Sequence, residues 1–269
     1  MICLFDIDSL LYHSVYKIVS VKEMRQLLGA NPTLPYLDRK QKAFEYIVSE
    51  AFSRMGSKTL KIFDAIEDTG HSLTEIEYYI TYCKNSVRKK ISEHYKSNRK
   101  PNKYVSSLRT MMVGEGTAIY DDEYEADDLI ADRAKQLRRD GKDYIVVSID
   151  KDLKQIPGNH FDYYPIYKKN EDGEKVFVKL KGLSFTTPYE SAEMLALQML
   201  MGDSGDCVNG LKGVGIKTAE KLLSNCQRPY SIYRKVVSEY VKRHSDDFDW
   251  RIELMTNFRL VKLGKTLEL

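Results

Sequence analysis

The stretch Tyr144-Ile145-Val146-Val147-Ser148-Ile149-Asp150-Lys151-Asp152 decides the fold. Its first six residues form a short, almost unbroken apolar run, which reads as a strand buried on both faces, as in parallel sheets. Strand alternation then sets Asp150 and Asp152 near its carboxyl end, where open α/β sheets place their sites. Upstream, a helix is expected from Glu125 to about Arg139, burying Ala126, Leu129, Ile130, Ala134 and Leu137. Residues 2–5 form a second buried strand that ends at Asp6, and Asp8-Ser9 caps the helix after it. Asp38 opens another helix, with Phe44, Ile47, Val48, Ala51, Phe52 and Met55 on one face and Gly56 as its expected stop. Further strands are expected at Tyr78–Thr81 and Thr117–Tyr120, and FDYYPIY and EKVFVKL flank the turn Asn170-Glu171-Asp172-Gly173 as a hairpin. Strand and helix alternate to about residue 155, which predicts an α/β fold with a central, mostly parallel sheet flanked by helices. Beyond about residue 185 the pattern is helical, with a helix over 188–201 ending at Gly202, a glycine-rich hairpin at 210–217 and helices up to Leu263. The expected division is a core over 1–184, containing a basic segment at 84–104, and a helical region over 185–269.

The chain has 269 residues, long enough for one large or two small domains with a real core. Lys plus Arg is 42 and Asp plus Glu is 39, so the net charge of +3 says less than the way acid and base are segregated. Cys3, Cys83, Cys207 and Cys226 lie far apart with no C-x-x-C, which fits a reduced chain with incidental thiols rather than a disulfide framework. The five histidines are scattered, which argues against zinc. No apolar run approaches ~20 residues, and MICLF is cut short by Asp6 and Asp8, so neither a membrane span nor a signal peptide is expected. A cytoplasmic, globular protein is the expectation.

Acidic residues gather at four places: Asp6, the run Glu125-Ala126-Asp127-Asp128, the pair Asp150 and Asp152, and the pair Asp203 and Asp206 in GDSGD. Each place is an element boundary. One such cluster is explained as well by helix capping and the helix dipole; four together are not. Two carboxylates ~4 Å apart repel by roughly 4 kcal/mol at an effective dielectric of 20. Convergence therefore calls for cations, and hard oxygen ligands suit Mg²⁺ or Mn²⁺. The chemistry of such a set is two-metal phosphodiester hydrolysis, and no Ser–His or Cys–His pair offers a rival nucleophile.

Gly210-Leu211-Lys212-Gly213-Val214-Gly215-Ile216-Lys217-Thr218-Ala219 precedes an amphipathic helix with Leu222 and Leu223 in its core face. Glycines allow the backbone to approach a phosphate, helix N-terminal amides point at it, and Lys217 adds charge. The order of a P-loop is absent. Residues 84–103 hold eight Lys or Arg (Lys84, Arg88, Lys89, Lys90, Lys96, Arg99, Lys100, Lys103) against one Glu, with Tyr95 and Tyr104 nearby. Cations with interleaved rings suit single-stranded nucleic acid. A solvated surface face is the plain alternative.

Taken together, EADD at 125–128, S-x-D-x-D at 148–152, GDSGD leading into the glycine hairpin, and YKSNRK at 95–100 resemble the flap endonuclease family of structure-specific 5′-nucleases, bacteriophage 5′→3′ exonucleases in particular. The resemblance is loose between residues 12 and 80. It implies a central sheet, a helical arch and a helix–three-turn–helix that binds duplex DNA, often with a potassium ion. By resemblance, Asp6, Glu125, Asp127, Asp128 and Asp150 are first-site metal ligands, and Asp152, Asp203 and Asp206 form the second group. Lys96 and Arg99 resemble arch cations at the scissile phosphate, Arg88 and Lys89 a basic pair at the arch base, and Tyr95 a contact to an unpaired base. Lys84 and Lys100 join them as DNA contacts, and Gly213, Gly215 and Lys217 resemble the duplex hairpin. The family's acid before the arch is missing: Tyr82 and Cys83 stand there. Asp64 would substitute only if residues 60–66 formed a strand, and they read as helix or loop. Asp8 reads as a helix cap, Trp250 as core, and Asp121 and Asp122 as solvated.

The expected function is a Mg²⁺-dependent 5′-nuclease acting on DNA with a 5′ flap, nick or 5′ end and on RNA–DNA primer junctions. It would act as a monomer, with replication proteins as further partners. An acidic-site RNase of related fold and a non-catalytic DNA-binding protein are the alternatives.

Overall fold

The computed structural model describes residues 1–16, 18, 26, 29, 35–170, 172–243 and 249–265. Strand β1 (Ile2–Asp6) is buried along its whole length, as expected of an apolar run at the centre of a sheet. It lies between β2 (Glu75–Tyr79) and β3 (Tyr144–Val147); β4 (Gly158–Lys169) and β5 (Lys175–Thr186) complete the order β2-β1-β3-β4-β5. The first four strands are parallel and β5 is antiparallel. Because Phe5 pairs with Val147, the chain leaves both strands side by side, and Asp6 and Asp150 emerge at the same edge.

Helices α1 (Asp8–Val15), α2 (Tyr36–Glu67) and α4 (Lys103–Gly114) cover one face of the sheet; α3 is the short helix Val87–Ile91. On that face Phe5, Ile7, Leu11, Ile62, Ile66, Leu108 and Val147 form one core. Burying Phe5 completely contributes roughly 2–3 kcal/mol. The expected stop at Gly56 does not occur. Ala51, Met55, Thr59, Ile62 and Ile66 continue the buried stripe of α2 past it, and a Cβ at Gly56 would stand in open space. A mid-helix glycine costs only about 1 kcal/mol relative to alanine, less than the packing that carries the helix on. Residues 60–66 are therefore helical. The second strand is Glu75–Tyr79, upstream of the expected Tyr78–Thr81, and of Thr117–Tyr120 only Ile119 touches the sheet, bridging to Tyr79.

Helix α5 (Ala126–Arg139) packs Leu129, Ile130, Ala134 and Leu137 against the other face with Leu4 and Val146. The β4–β5 hairpin forms as expected; Glu171 of its turn lies outside the described residues. A separate core joins α6 (Pro188–Met201), α7 (Ile216–Leu223), α8 (Pro229–Arg243) and α9 (Trp250–Val261) through Leu195, Leu200, Leu223, Ile232, Tyr240 and Leu260. Thr187 caps α6: its hydroxyl accepts from Glu190 N, and Glu190 Oε2 accepts from Thr187 N at 2.7 Å. The two-residue strands β6 (Gly202–Asp203) and β7 (Val208–Asn209) then pair tightly. A Cβ on Gly210 would stand 2.1 Å from the Met201 carbonyl carbon, so only glycine permits this crossing. No helix among the described residues is long and apolar enough to cross a membrane.

Candidate functional site

Above the carboxyl ends of β1 and β3 lies a cavity of about 640 Å³. Asp6, Glu125, Asp127, Asp150, Asp152 and Asp206 line it, together with Asp8 and the cations Lys84, Lys89, Lys96, Arg99, Lys100 and Arg109. Asp203 borders an adjoining crevice that shares Asp127, Asp152 and Asp206 with the cavity. Seven of the eight acids singled out in the sequence thus gather at one place, and Asp128 does not.

Each acid is delivered by an element boundary. Asp6 closes β1, and its Oδ2 accepts from Ser148 Oγ at 2.8 Å, while the same hydroxyl accepts from Asp150 N at 2.9 Å. Ser148 therefore ties the ends of β1 and β3 together. Burial first, then Asp8 and Asp150, pushes the Asp6 carboxyl up to about 7 despite the Ser148 bond. Asp150 caps the 3₁₀ turn Lys151–Gln155 through Asp152 N. Burial, then Asp150 and Asp203, pushes the Asp152 carboxyl up to about 7, and its Oδ1 is a buried oxygen with no hydrogen-bond partner. Burial, then Asp128, likewise raises Asp127. These are the marks of a set that lacks part of its counter-charge.

Part of that charge comes from the basic segment. Lys96 Nζ donates to Glu125 Oε2 at 2.6 Å and lies 3.6 Å from Asp206 Oδ2, and Arg99 pairs with Asp206. Burial opposes ionisation of Glu125, but Lys96 and then Arg88 outweigh it and hold that carboxyl below its usual range. Lys96 adopts φ +53°, uncommon outside glycine, and its N–H donates to Asp206 O. That bond presents the side chain to the acids. Lys84, Lys89 and Lys100 are exposed at the cavity rim.

Three sequence expectations need correction. Tyr95, expected to meet an unpaired base, is 2 % exposed; it packs in the α6–α9 core and donates to Glu125 and Asp206. Arg88, expected with Lys89 as a basic pair at the arch base available to the reaction, is also 2 % exposed. It forks onto Asp128 with two 2.6 Å bonds and donates to the Leu260 and Lys262 carbonyls. Asp128, expected as a metal ligand, is consumed by that pair and accepts from Glu125 N and Gly264 N as well. Arg88–Asp128 is a buried tie between α3, α5 and the end of α9. Asp64 lies on α2, facing a different hollow beside β4 and β5, and is no substitute for the missing acid.

Sequence reasoning missed two groups at the cavity. Arg109 pairs with Asp8 at 2.7 Å, and Asp8 Oδ2 accepts from Thr81 N at 3.0 Å; Asp8 opens α1 without a side-chain cap bond, so these contacts replace the capping expected of it. Arg109 sits on α4, just past the basic run, and the run itself was the available signal. Asp121, expected to be solvated, accepts from Glu123 N and Tyr124 N and pairs with Lys265; burial opposes ionisation there, but these partners hold its carboxyl below the usual range.

The hairpin reaches solvent. Gly213 adopts φ +77°, and a Cβ at Gly213 or Gly215 would meet nothing within 4 Å. Gly215 precedes α7, whose first turn exposes Lys217. Open backbone, a helix N-terminus and a lysine are the kinds of group that phosphate binding uses.

The donor set fits hard divalent cations: carboxylates from β1, α5, the Asp150 turn and the GDSGD loop border one space, and one buried carboxylate oxygen lacks a partner. Among the described residues no three His, Cys, Asp or Glu side chains close on a single point as a finished cage. Lys96 and Arg99 stand against Glu125 and Asp206.

Residues 42–181, just over half of the chain, match the family described as 5′-3′ exonuclease, N-terminal resolvase-like domain. The chain is 32% identical over 243 residues to DNA polymerase I of Rhizobium leguminosarum, covering 87% of this chain and 21% of that one. It thus spans about a fifth of that relative's length. It is 27% identical over 189 residues to flap endonuclease Xni of Shewanella amazonensis, covering 68% of this chain and 72% of that one. It is 31% identical over 183 residues to a 5′-3′ exonuclease of Buchnera aphidicola, covering 66% and 62%. In fold it is similar to the bacteriophage T5 D15 flap endonuclease solved with DNA and metal ions, with a TM-score of 0.53, 12% identity, and coverage of 97% of this chain and 88% of that one.

Proposed function

The chain belongs to the 5′-3′ exonuclease family of the N-terminal resolvase-like type, and from that premise we propose that it is a divalent-metal-dependent 5′-nuclease cutting phosphodiester bonds in DNA. The observation that carries the reading is the cavity itself: seven carboxylates, Asp8 included, from four distant parts of the sequence, facing lysines and arginines. Acids that repel one another are brought together only where cations offset them. Asp6, Glu125, Asp127 and Asp150 would hold one ion, and Asp152, Asp203 and Asp206 a second. Bound there, such ions lower the pKa of water and offset charge on the reacting phosphate.

The chain's own residues supply positioning. Ser148 fixes Asp6 relative to Asp150. Lys96 and Arg99 face the acids and would move onto the scissile phosphate, Arg99 with the planar fork that matches phosphate oxygens. Lys84, Lys89 and Lys100 at the rim would guide the 5′ strand, while Gly213, Gly215 and Lys217 grip the duplex. Among divalent ions Mg²⁺ fits best and Mn²⁺ substitutes; K⁺ would sit at the hairpin. The likeness to a flap endonuclease and to the nuclease-sized relatives supports substrates with a 5′ flap, a nick or a primer junction. We place the activity in replication, in the cytoplasm of the host cell, with the protein acting as a monomer.

The test is cleavage of end-labelled flap, nicked and blunt DNA and of single-stranded RNA, with Mg²⁺ or chelator. Asp150→Asn should abolish cleavage and leave junction binding intact. Full turnover by that variant would refute the reading, and preferential cleavage of single-stranded RNA would favour an RNase instead.

A further inference from the structure

The sheet ends on a long open strand. Beyond β5 the edge is free: it pairs with β4 on one side, and no described residue pairs with it on the other. It is 12 residues long, about twice the usual strand. Val176, Phe177, Val178, Leu183 and Phe185 are all among the exposed large apolar side chains. A long, exposed, apolar edge is a template for another strand, and apolar surface gathered in one place marks an interaction site.

The charge on the strand selects what can pair. β5 carries Lys175, Lys179 and Lys181 and no acid. Lys175 and Lys179 have no ion-pair partner among the described residues; Lys181 pairs with Asp162 at 2.7 Å. A second copy would set lysines opposite lysines, which destabilises a ladder. The groove beside the strand, about 1030 Å³ between β5 and α2, is lined by Lys58, Lys61, Lys179 and Lys181 with Asp64 and Asp68, so its cations too would meet an acidic partner; Lys58 is already bonded to the His13 carbonyl. Nucleic acid is disfavoured by the edge itself: phosphate oxygens only accept, so the unpaired C=O groups of β5 would gain nothing. An extended peptide satisfies those groups, and acids alternating with apolar residues match the lysines and rings.

We propose that the free edge of β5 is a docking site for an acidic, apolar-rich segment of another protein, which adds to the sheet as an extra strand. The site lies apart from the carboxylate cavity and does not depend on the nuclease reading.

The probe is a fluorescein-labelled peptide alternating Glu or Asp with Val or Phe, compared with the same peptide carrying Lys in place of its acids and with a single-stranded oligothymidylate. The acidic peptide should bind saturably to the full chain and protect amides 176–184 from hydrogen exchange. The double variant Lys175→Glu/Lys179→Glu should weaken it about tenfold or more without changing cleavage of blunt DNA. Phe177→Ser, an exposed position, should weaken it independently. Three results would overturn the proposal: no saturable binding of the acidic peptide, equal binding of the lysine peptide, or protection of the same amides by oligothymidylate. A dimer dissolved by Phe177→Ser would also overturn it, in favour of a second copy.

Discussion

Replacing Asp6 with asparagine should stabilise the metal-free protein at about pH 8 while destroying its activity. Asp6 is 6 % exposed. Burial, then Asp8 and Asp150, moves its carboxyl from 3.8 to about 7. The folded state therefore holds the proton more tightly than the unfolded chain does. Below the lower value the carboxyl is neutral in both states and has no effect; as pH rises through the window, ionisation destabilises the fold, and above the upper value the whole cost is present. Three units at about 1.4 kcal/mol each give about 4 kcal/mol. Asparagine cannot ionise, and its carbonyl oxygen can still accept from Ser148 Oγ. With roughly 2–4 °C of melting temperature per kcal/mol for a chain of this size, the variant should melt about 8–16 °C higher than wild type at about pH 8 in chelator. The difference should vanish near pH 4. The assay is thermal unfolding followed by circular dichroism across that pH range. Equal melting temperatures at about pH 8, or a difference independent of pH, would refute the electrostatic argument. Added Mg²⁺ should raise wild type more than the variant.

Three other outcomes follow from the same geometry. Arg88→Met should destabilise the fold by about 3–5 kcal/mol, because Asp128 is left charged and buried; chemical denaturation of that variant and of Arg88→Met/Asp128→Leu, which should recover most of the loss, checks it. Gly210→Ala should disrupt the β6–β7 crossing, since the new methyl meets the Met201 backbone at 2.1 Å; its melting temperature and its duplex affinity should both fall. Lys217→Ala should weaken duplex binding evenly across sequences and lower the salt slope by about one, as read by fluorescence anisotropy at several salt concentrations.

What the sequence could reveal was governed by distance along the chain. YIVVSI and the apolar residues before Asp6 are local patterns, and both became adjacent parallel strands. The carboxylates at their ends could be placed because a strand's end is where its side chains leave the sheet. Arg88 and Tyr95 could not be read that way. Their run is basic and polar, so periodicity assigns it to solvent. The groups that bury them, Asp128, Asp206 and the α9 carbonyls, lie up to 174 residues away. Asp128 shares the acidic run with Glu125 and Asp127, and only the position of Arg88 tells a buried tie from a cavity acid. Gly56 shows a related limit: local propensity favours a stop, while long-range packing of α2 on the sheet carries the helix through.

The account rests on ions filling the space between these acids, and diffraction from crystals soaked in Mn²⁺ tests that directly through its anomalous signal. Two peaks are expected, one among Asp6, Glu125, Asp127 and Asp150, the other among Asp152, Asp203 and Asp206, with Lys96 withdrawn from Glu125. Peaks elsewhere on the molecule, or none in crystals of protein that still cleaves flap DNA, would contradict it.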